Sequence, residues 1–267
     1  MIWWILGIGA IVFLVISLIV FLVKCKNGEK LLIKTFKKGN VIVTGHKGHG
    51  KDLLFSFITN KREEQGEQYY STIQYSEAWK KISVKDLNIS PNTYKSFLNG
   101  KVKKIPKTLE ENRDIYIADA GLYLPSTYHQ ELCELYPSLP LFYAIQRHLY
   151  NSNTHCNVQN LERLWDKLRE QADFYIECVD NYKIPFTKRT FIQKMIYYDR
   201  YQSALDRVRP FKVDQRLLGK DKNQQALKRD FESKHGTVKY VYIINKLPEE
   251  HYDTRFFHEE VFGTKAK

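Results

Sequence analysis

The chain has 267 residues, of which 43% are apolar and 27% charged, and its formal net charge at pH 7 is +12. This length and apolar content allow one mid-sized domain with an appendage, and they exclude a chain that is too polar to bury a core. The four cysteines include no Cys-x-x-Cys pair and no histidine at zinc-ligand spacing, so we expect reduced, structural thiols.

The chain begins with an uncharged segment, residues 1–23, which at about 1.5 Å per residue would span the roughly 30 Å hydrocarbon layer. A signal peptide fits less well, because no basic stretch precedes this segment and no small-residue cleavage site follows it. The lysines that follow it are Lys24, Lys26, Lys30, Lys34, Lys37 and Lys38. We therefore predict a single-pass membrane anchor over residues 1–24, with the N-terminus outside and the C-terminal domain in the cytoplasm, and a basic juxtamembrane connector over residues 25–39.

Residues 41–43 form a β-branched run that predicts a buried strand, and a glycine-rich turn and a helical pattern follow it. Gly45, Gly50 and Lys51 have the spacing of the P-loop template Gly-x-x-x-x-Gly-Lys. Glycines let backbone N–H groups surround phosphate oxygens, and Lys51, which we expect to be exposed, would add a mobile charge. An ordinary glycine turn is the alternative. The residues predicted to contact ATP are Gly45, His46, Lys47, Gly48, His49, Gly50, Lys51, Asp52 and Leu53.

The last position of this template departs from the usual pattern. A serine or threonine, whose hydroxyl binds Mg²⁺, normally follows the lysine, but Asp52 stands there. A carboxylate can ligate Mg²⁺, yet it also repels phosphates. We therefore predict Asp52 as a metal ligand with an altered nucleotide affinity.

Two later strand ends carry further candidate residues. Residues 113–120 read as an apolar strand that ends at Asp119, which we predict as the second Mg²⁺ ligand, with a plain turn residue as the alternative. The glutamate that often follows such an aspartate is replaced by Ala120. Residues 156–160 read as a strand whose end offers Gln159 or Asn160 to the γ-phosphate or the attacking water.

Strands and helices alternate along residues 40–182. Further strands are predicted at 69–74 and 174–179, and helices at 139–150 and 161–169, whereas residues 76–106 show only loop and short-helix signals. This order predicts an α/β fold in which a mainly parallel sheet is flanked by helices.

Residues 183–267 are predicted to form a small, β-rich and basic C-terminal extension. Residues 190–198 and 238–244 read as aromatic-rich strands, either extra strands of the core or a separate appendage, and residues 181–240 hold 15 Lys and Arg against 6 Asp and Glu. Such an excess favours nucleic acid or the anionic membrane face, while aromatic core packing under a solvated surface is the alternative. The DNA-binding candidates are Lys188, Arg189, Lys194, Tyr197 and Tyr198.

This combination resembles the zonula occludens toxin-type ATPases, which include filamentous-phage morphogenesis proteins. The resemblance covers about residues 41–180 and is carried by the P-loop, Asp119-Ala120, Gln146-Arg147-His148, the strand at 156–160 and the strand at 174–178. Residues 252–255 add a weaker likeness. The departures are Asp52, Ala120 and an anchor that precedes the ATPase domain, where many relatives carry it afterwards.

The resemblance implies a P-loop NTPase fold, ATP and Mg²⁺ as cofactors, and a homo-oligomeric ring in which Arg163 or Arg169 serves a neighbouring subunit as an arginine finger. It also implies a place in the host cell membrane and export of single-stranded phage DNA during virion assembly, together with other assembly proteins. Two alternatives are a non-hydrolysing membrane scaffold with a degenerate P-loop and a conjugation-type DNA-coupling ATPase.

Overall fold

The computed structural model describes residues 2–87, 95–96, 99–101, 109–187, 189–212 and 222–246, and side chains from residue 7 onward except that of residue 149. The α-helices are α1 (Ile2–Lys38), α2 (Lys51–Glu63), α3 (Ala120–Tyr123), α4 (His129–Leu135), α5 (Leu139–Tyr150), α6 (Asp166–Arg169), α7 (Tyr201–Leu205) and α8 (Lys222–His235). Short 3₁₀ turns lie at Val84–Leu87, Ser126–Tyr128 and Leu161–Arg163. The strands are β1 (Val41–Thr44), β2 (Tyr69–Ser71), β3 (Trp79–Lys81), β4 (Ile115–Ile117), β5 (Thr154–Asn157), β6 (Phe174–Lys183), β7 (Thr190–Tyr198) and β8 (Val238–Lys246).

All eight strands form one sheet in the order β3-β2-β4-β5-β1-β6-β7-β8. The strands from β3 to β6 in this order are parallel to their neighbours, and Val41 of β1 pairs with His155 on one side and Phe174 on the other. A parallel strand covered on both faces must be apolar throughout, as the buried run from Val41 to Val43 is. The predicted mainly parallel α/β sheet is confirmed.

Helices cover both faces of this sheet. On one face, α1 buries Leu32 and Phe36 and α2 buries Leu54 and Phe55 against the strands. On the other face, α5 and the segment around α6 bury apolar side chains. The central members of that second core are Leu139, Phe142, Tyr143, Tyr150, Leu164, Trp165 and Leu168. The P-loop helix α2 is therefore fixed by its buried side before any ligand binds.

Strands β7 and β8 extend the sheet in antiparallel order. Thr190 of β7 pairs with Lys246 of β8, and Lys183 of β6 pairs with Phe191 of β7. The C-terminal strands β7 and β8 are therefore part of the same sheet as the core. The predicted domain boundary after residue 182 falls near the end of β6, inside this sheet. The residues of the weaker family likeness, 252–255, lie outside the described residues.

Two local predictions are wrong. Residues 161–169 do not form one helix, because the backbone is extended at Leu164, which bridges to Pro125, and Trp165 donates its N–H to Leu124 O. Tertiary bonds thus override a helical apolar spacing. The segment predicted as loop and short helix contains β3, which pairs in parallel with β2.

Helix α1 runs without interruption through the predicted anchor and the predicted connector. Its portion from Gly7 to Lys38 is long and apolar enough to cross a membrane, and only 6% of its most apolar window is buried in the protein. Helix α1 is the one helix of this kind in the described part of the chain. Its last turns, in contrast, are part of the protein core.

Candidate functional site

The P-loop joins β1 to α2 at the carboxyl edge of the parallel sheet. Gly45, Gly48 and Gly50 have φ values of +141°, +85° and +82°. A Cβ at Gly45 would lie 2.5 Å from Cys178 O, and one at Gly50 would lie 2.5 Å from Gln193 Nε2. The positive φ favours glycine at both positions, and at Gly45 the close backbone oxygen of Cys178 excludes a Cβ as well. The loop leads directly into the N-terminus of α2, where an anion is stabilised.

Lys51 is the first residue of α2, and its ammonium turns back into the loop. Lys51 Nζ donates to Gly45 O at 2.9 Å and to His46 O at 3.3 Å. The residue is only 7% exposed, so the expectation of an exposed lysine is wrong. The two carbonyls replace the water that a cation needs when it is covered by protein. A phosphate at the loop would compete for this ammonium with neutral carbonyl oxygens.

Asp52 is held by two side chains from other parts of the fold. Asp52 Oδ1 accepts a hydrogen bond from Tyr75 OH at 3.0 Å and another from Asn157 Nδ2 at 2.7 Å. Asn157 Oδ1 in turn accepts from the Asp119 backbone N–H at 2.6 Å. One buried amide therefore connects the two predicted metal ligands.

Asn157 is a residue that the sequence reasoning missed. It is the last residue of β5, which lies between β1 and β4, and it is fully buried. The predicted strand at 156–160 directed attention to Gln159 and Asn160, although β5 ends at Asn157. The polar residue Asn157 within the predicted strand was the local signal, but its position beside Asp52 follows only from the order of the strands in the sheet.

Asp119 follows β4 in a left-handed conformation, with φ of +43°. Burial, and next the nearby charge of Asp52, raise the pKa of Asp119 above its ordinary value, and Lys51 opposes this rise. Two carboxylates and one ammonium thus share a half-buried volume. Among the described residues, no group of three or more His, Cys, Asp or Glu side chains could hold a metal. A cation at Asp52 and Asp119 would therefore take its remaining ligands from phosphate or water.

Ala120 occupies the position of the glutamate that often follows such an aspartate. It is fully buried at the start of α3, inside the second core. A carboxylate there would lie among apolar side chains, so the packing itself explains the departure.

Gln159 lines two small cavities, of which one also borders the P-loop. One of about 120 Å³ also contacts Asp119 and Arg163, and one of about 30 Å³ also contacts Gly45 and Asn160. The Asn160 side chain accepts from Glu162 N at 3.2 Å, so it serves as the N-cap of the following turn. Of the two amides, Gln159 is the one that borders the cavity of Asp119.

Glu177 is a second residue that the sequence reasoning missed. It pairs with Thr44 across β1 and β6, lines the 30 Å³ cavity and accepts from Tyr198 OH at 2.9 Å. Its place beside the P-loop follows from the parallel register of β1 and β6, which no local sequence motif reveals.

The two arginine-finger candidates have different surroundings. Arg163 is exposed and lines the cavity of Asp119 in its own chain. The Arg169 guanidinium lies 5.9 Å from the Tyr201 ring centroid and donates to Leu161 O at 3.5 Å. Arg169 is thus engaged within its own chain.

The nucleic-acid candidates are not all available. Lys188 lies outside the described residues. Arg189 directly precedes β7, and Lys194 Nζ is 5.2 Å from the Tyr240 ring centroid. Tyr197 and Tyr198 are 7% and 1% exposed, so base stacking by these two rings is a wrong prediction for this structure.

Strands β7 and β8 brace the P-loop helix from the side. Gln193 Nε2 donates to Gly50 O at 2.8 Å, and Asn245 Nδ2 donates to Leu53 O at 2.7 Å. Both amides are buried. The antiparallel strands therefore contribute to the geometry of the nucleotide-binding loop.

No protein-family model and no curated protein matches this chain. Solved structures similar to it include the genome packaging NTPase B204 of Sulfolobus turreted icosahedral virus 2, at 16% identity over 61% of this chain and 93% of that one, with a TM-score of 0.37. The N-terminal domain of zonular occludens toxin from Neisseria meningitidis is 11% identical over 79% and 95%, with a TM-score of 0.35. The pCW3 conjugation coupling protein TcpA is 12% identical over 58% and 56%, with a TM-score of 0.35.

Likeness at these TM-scores carries no argument about function, which rests on the residues of the site. The fold is defined by the elements of this chain. A strand, a glycine loop and a helix follow one another over Val41–Glu63, and the strand lies within a parallel sheet. The chain has a P-loop NTPase fold, and the zonula occludens toxin type that its sequence resembles is among the solved structures similar to it.

Proposed function

We propose that this chain is a membrane-anchored P-loop ATPase that acts on DNA. The observation that carries the proposal is the group formed by Lys51, Asp52 and Asp119 at the mouth of a glycine loop, with Asn157 bonded to both aspartates. A basic side chain and two acidic ones in a half-buried volume fit a phosphate chain with its divalent cation.

The residues present fit ATP and Mg²⁺. Three positive-φ glycines and the N-terminus of a 13-residue helix surround the loop, and Lys51 is within reach of it. Asp52 and Asp119 supply the hard oxygen ligands that Mg²⁺ prefers. When bound, the cation would offset the charge that develops on the phosphates.

Water activation needs a group other than residue 120, because Ala120 is part of the core. Gln159 borders the cavity of Asp119 and is the amide that would orient a water there. Glu177 lines the same small cavity as Gly45 and His46, and it is one of the two carboxylates there, with Glu162, that would accept a proton.

The action on DNA is supported by charge. The chain carries a net +12, Lys194 lies on the strand that braces the P-loop, and Arg189 directly precedes that strand. Among ATPases that act on DNA, we favour one that exports single-stranded phage DNA during virion assembly over one that serves conjugative transfer. It would work as a homo-oligomeric ring with Arg163 as the interface arginine.

The membrane anchor is supported by α1. The helix is apolar and largely uncovered up to Val23, and lysines begin at Lys24. By the positive-inside rule the ATPase domain lies in the cytoplasm, where ATP is available. External protease should spare a C-terminal tag in intact cells, and cleavage of that tag would contradict this topology.

The second candidate is a non-hydrolysing scaffold, which Asp52 and Ala120 favour. ATP turnover by the full chain in detergent micelles, with and without single-stranded DNA, separates the two. Lys51→Ala should lower turnover by about 10²-fold or more, since it removes a charge that contacts the phosphates. Lys61→Ala, a matched change at the far end of α2, should have no effect.

Equal turnover in both variants would contradict the P-loop assignment. Nucleotide binding that depends on Lys51, without turnover in the wild type, would support the scaffold. For DNA, neutralising Arg189 and Lys194 should reduce the salt slope of binding by about 1.4 units if each contacts a phosphate. An unchanged slope would remove these two residues from the interface.

A further inference from the structure

A cleft of about 980 Å³ separates helix α1 from the edge strand β8. One wall is the end of the apolar segment, with Ile19, Val20 and Val23. The other wall is formed by Val238–Tyr242 and by Pro210–Lys212. The cleft therefore lies where the apolar helix joins the folded domain.

Close contacts between helix α1 and strand β8 fix the position of the cleft along the helix. A Cβ at Gly28 would collide with the carbonyl oxygen of Tyr242 and lie 3.0 Å from Val241 Cγ1. Seven residues earlier, the Phe21 ring packs edge-on against Tyr242, with centroids 6.2 Å apart. Strand β8 thus reaches the last turns of the apolar segment, which in a membrane lie at the boundary between hydrocarbon and headgroups.

The charges of the cleft are all of one sign. Lys24, Lys212 and Lys239 line it, one from each of the three segments that form its walls. The described residues that line the cleft include no Asp or Glu. Lysine is a strong point-charge partner for phosphate, and lysines at a membrane surface are attracted to anionic lipids.

We propose that this cleft binds one anionic phospholipid from the cytoplasmic leaflet. Its phosphate would lie among the three lysines, and an acyl chain would lie along Ile19, Val20 and Phe211. The volume is at the upper end of the range of about 300–1,000 Å³ for small-molecule sites, which suits a headgroup with part of a chain. The inference rests on the membrane anchor proposed above.

A lipid fits better than a protein partner on two grounds. The apolar wall continues directly into the segment that lipid would surround, and the cationic wall begins at the first lysine after it. A lipid of the same leaflet presents its chain and its phosphate in this order.

The test uses the full chain in nanodiscs with equal amounts of phosphatidylcholine and phosphatidylglycerol, and native mass spectrometry counts the retained lipids. The wild type should retain phosphatidylglycerol preferentially. Replacing Lys24, Lys212 and Lys239 by Gln should lower this preference about fivefold for each lysine. The matched control replaces Lys26, Lys30 and Lys34, which lie on α1 outside the cleft, and should keep the preference.

A second variant addresses the apolar end. Val20→Trp should fill the cleft and reduce lipid retention while all lysines remain. Equal loss in the cleft and control lysine variants, or no preference in the wild type, would overturn the proposal. Retention of a second copy of the chain at this site in place of lipid would also overturn it.

Failure of the anchor is distinguished by alkaline extraction of cell membranes. A chain that resists extraction but shows no lipid preference overturns the lipid site and leaves the anchor in place. A chain that is extracted overturns both.

Discussion

Replacing Asn157 by leucine should uncouple the two aspartates of the site while keeping the number and branching of the side-chain heavy atoms. The substitution removes a 2.7 Å hydrogen bond to the Asp52 carboxylate and leaves the buried Asp119 N–H without its 2.6 Å partner. A bond to a charged group contributes about 1.5–3 kcal/mol, and an unsatisfied buried donor costs about 1–3 kcal/mol. We therefore expect the free energy of unfolding to fall by roughly 3–5 kcal/mol.

The assay is urea unfolding of the full chain in detergent micelles, followed by tryptophan fluorescence, together with titration of a fluorescent ATP analogue and Mg²⁺. The matched control is Asn60→Leu, which removes only an intrahelical bond to Ser56 Oγ at 3.2 Å and should cost less than about 1 kcal/mol. In an Asp52→Ala background, the Asn157 effect should shrink by about 0.5–3 kcal/mol. Equal stability of the Asn157→Leu and Asn60→Leu variants, with unchanged nucleotide affinity, would refute the role of the amide.

Three further outcomes are expected. Lys51→Ala should abolish nucleotide binding with little loss of stability, measured by analogue titration and thermal unfolding, because its bonds are to neutral loop carbonyls; a large drop in melting temperature would contradict this. Asp52→Thr should raise ATP affinity in a filter-binding assay, because it removes a charge that repels phosphate, and unchanged affinity would show that the repulsion is absent. Asp114→Asn should cost about 3–5 kcal/mol at pH 7, because it breaks a buried pair with Arg62. Burial opposes the charge, but His155 and Arg62 hold the pKa of Asp114 below its ordinary 3.8. The wild type should therefore exceed Asp114→Asn in free energy of unfolding by the full amount above pH 3.8, and this difference should disappear as the pH falls through the lowered pKa. A difference that grows on acidification would contradict this.

The parts of the fold that local patterns determine could be predicted from the sequence. Helix α5 and strand β7 have the predicted bounds, because α5 is an apolar run of helical length and β7 is rich in aromatic and β-branched residues. The glycine loop was predictable for the same reason, since its spacing is a local property.

The parts that depend on tertiary contacts could not be predicted. Leu164 and Trp165 have helical spacing, yet a bridge to Pro125 and a bond to Leu124 O hold them extended. Asn157 and Glu177 acquire their positions only when β5 and β6 flank β1, which no local pattern reveals. Tyr197 and Tyr198 read as exposed aromatic residues beside lysines, whereas the sheet faces on which they lie are covered.

The charges of the site explain why this P-loop could function with an aspartate after its lysine. Burial, and next the repulsion between the ionised forms of Asp119 and Asp52, raise the pKa of Asp119, and the Lys51 ammonium is bonded to loop carbonyls. A divalent cation between the two carboxylates would remove this repulsion, and a phosphate would draw the ammonium from the carbonyls. Each ligand alone leaves one charge of the site uncompensated: the metal alone leaves Lys51 on neutral partners, and ATP alone meets the Asp52 carboxylate. The aspartate that departs from the usual P-loop pattern, together with Lys51 and Asp119, therefore favours binding of nucleotide and cation together over binding of either one.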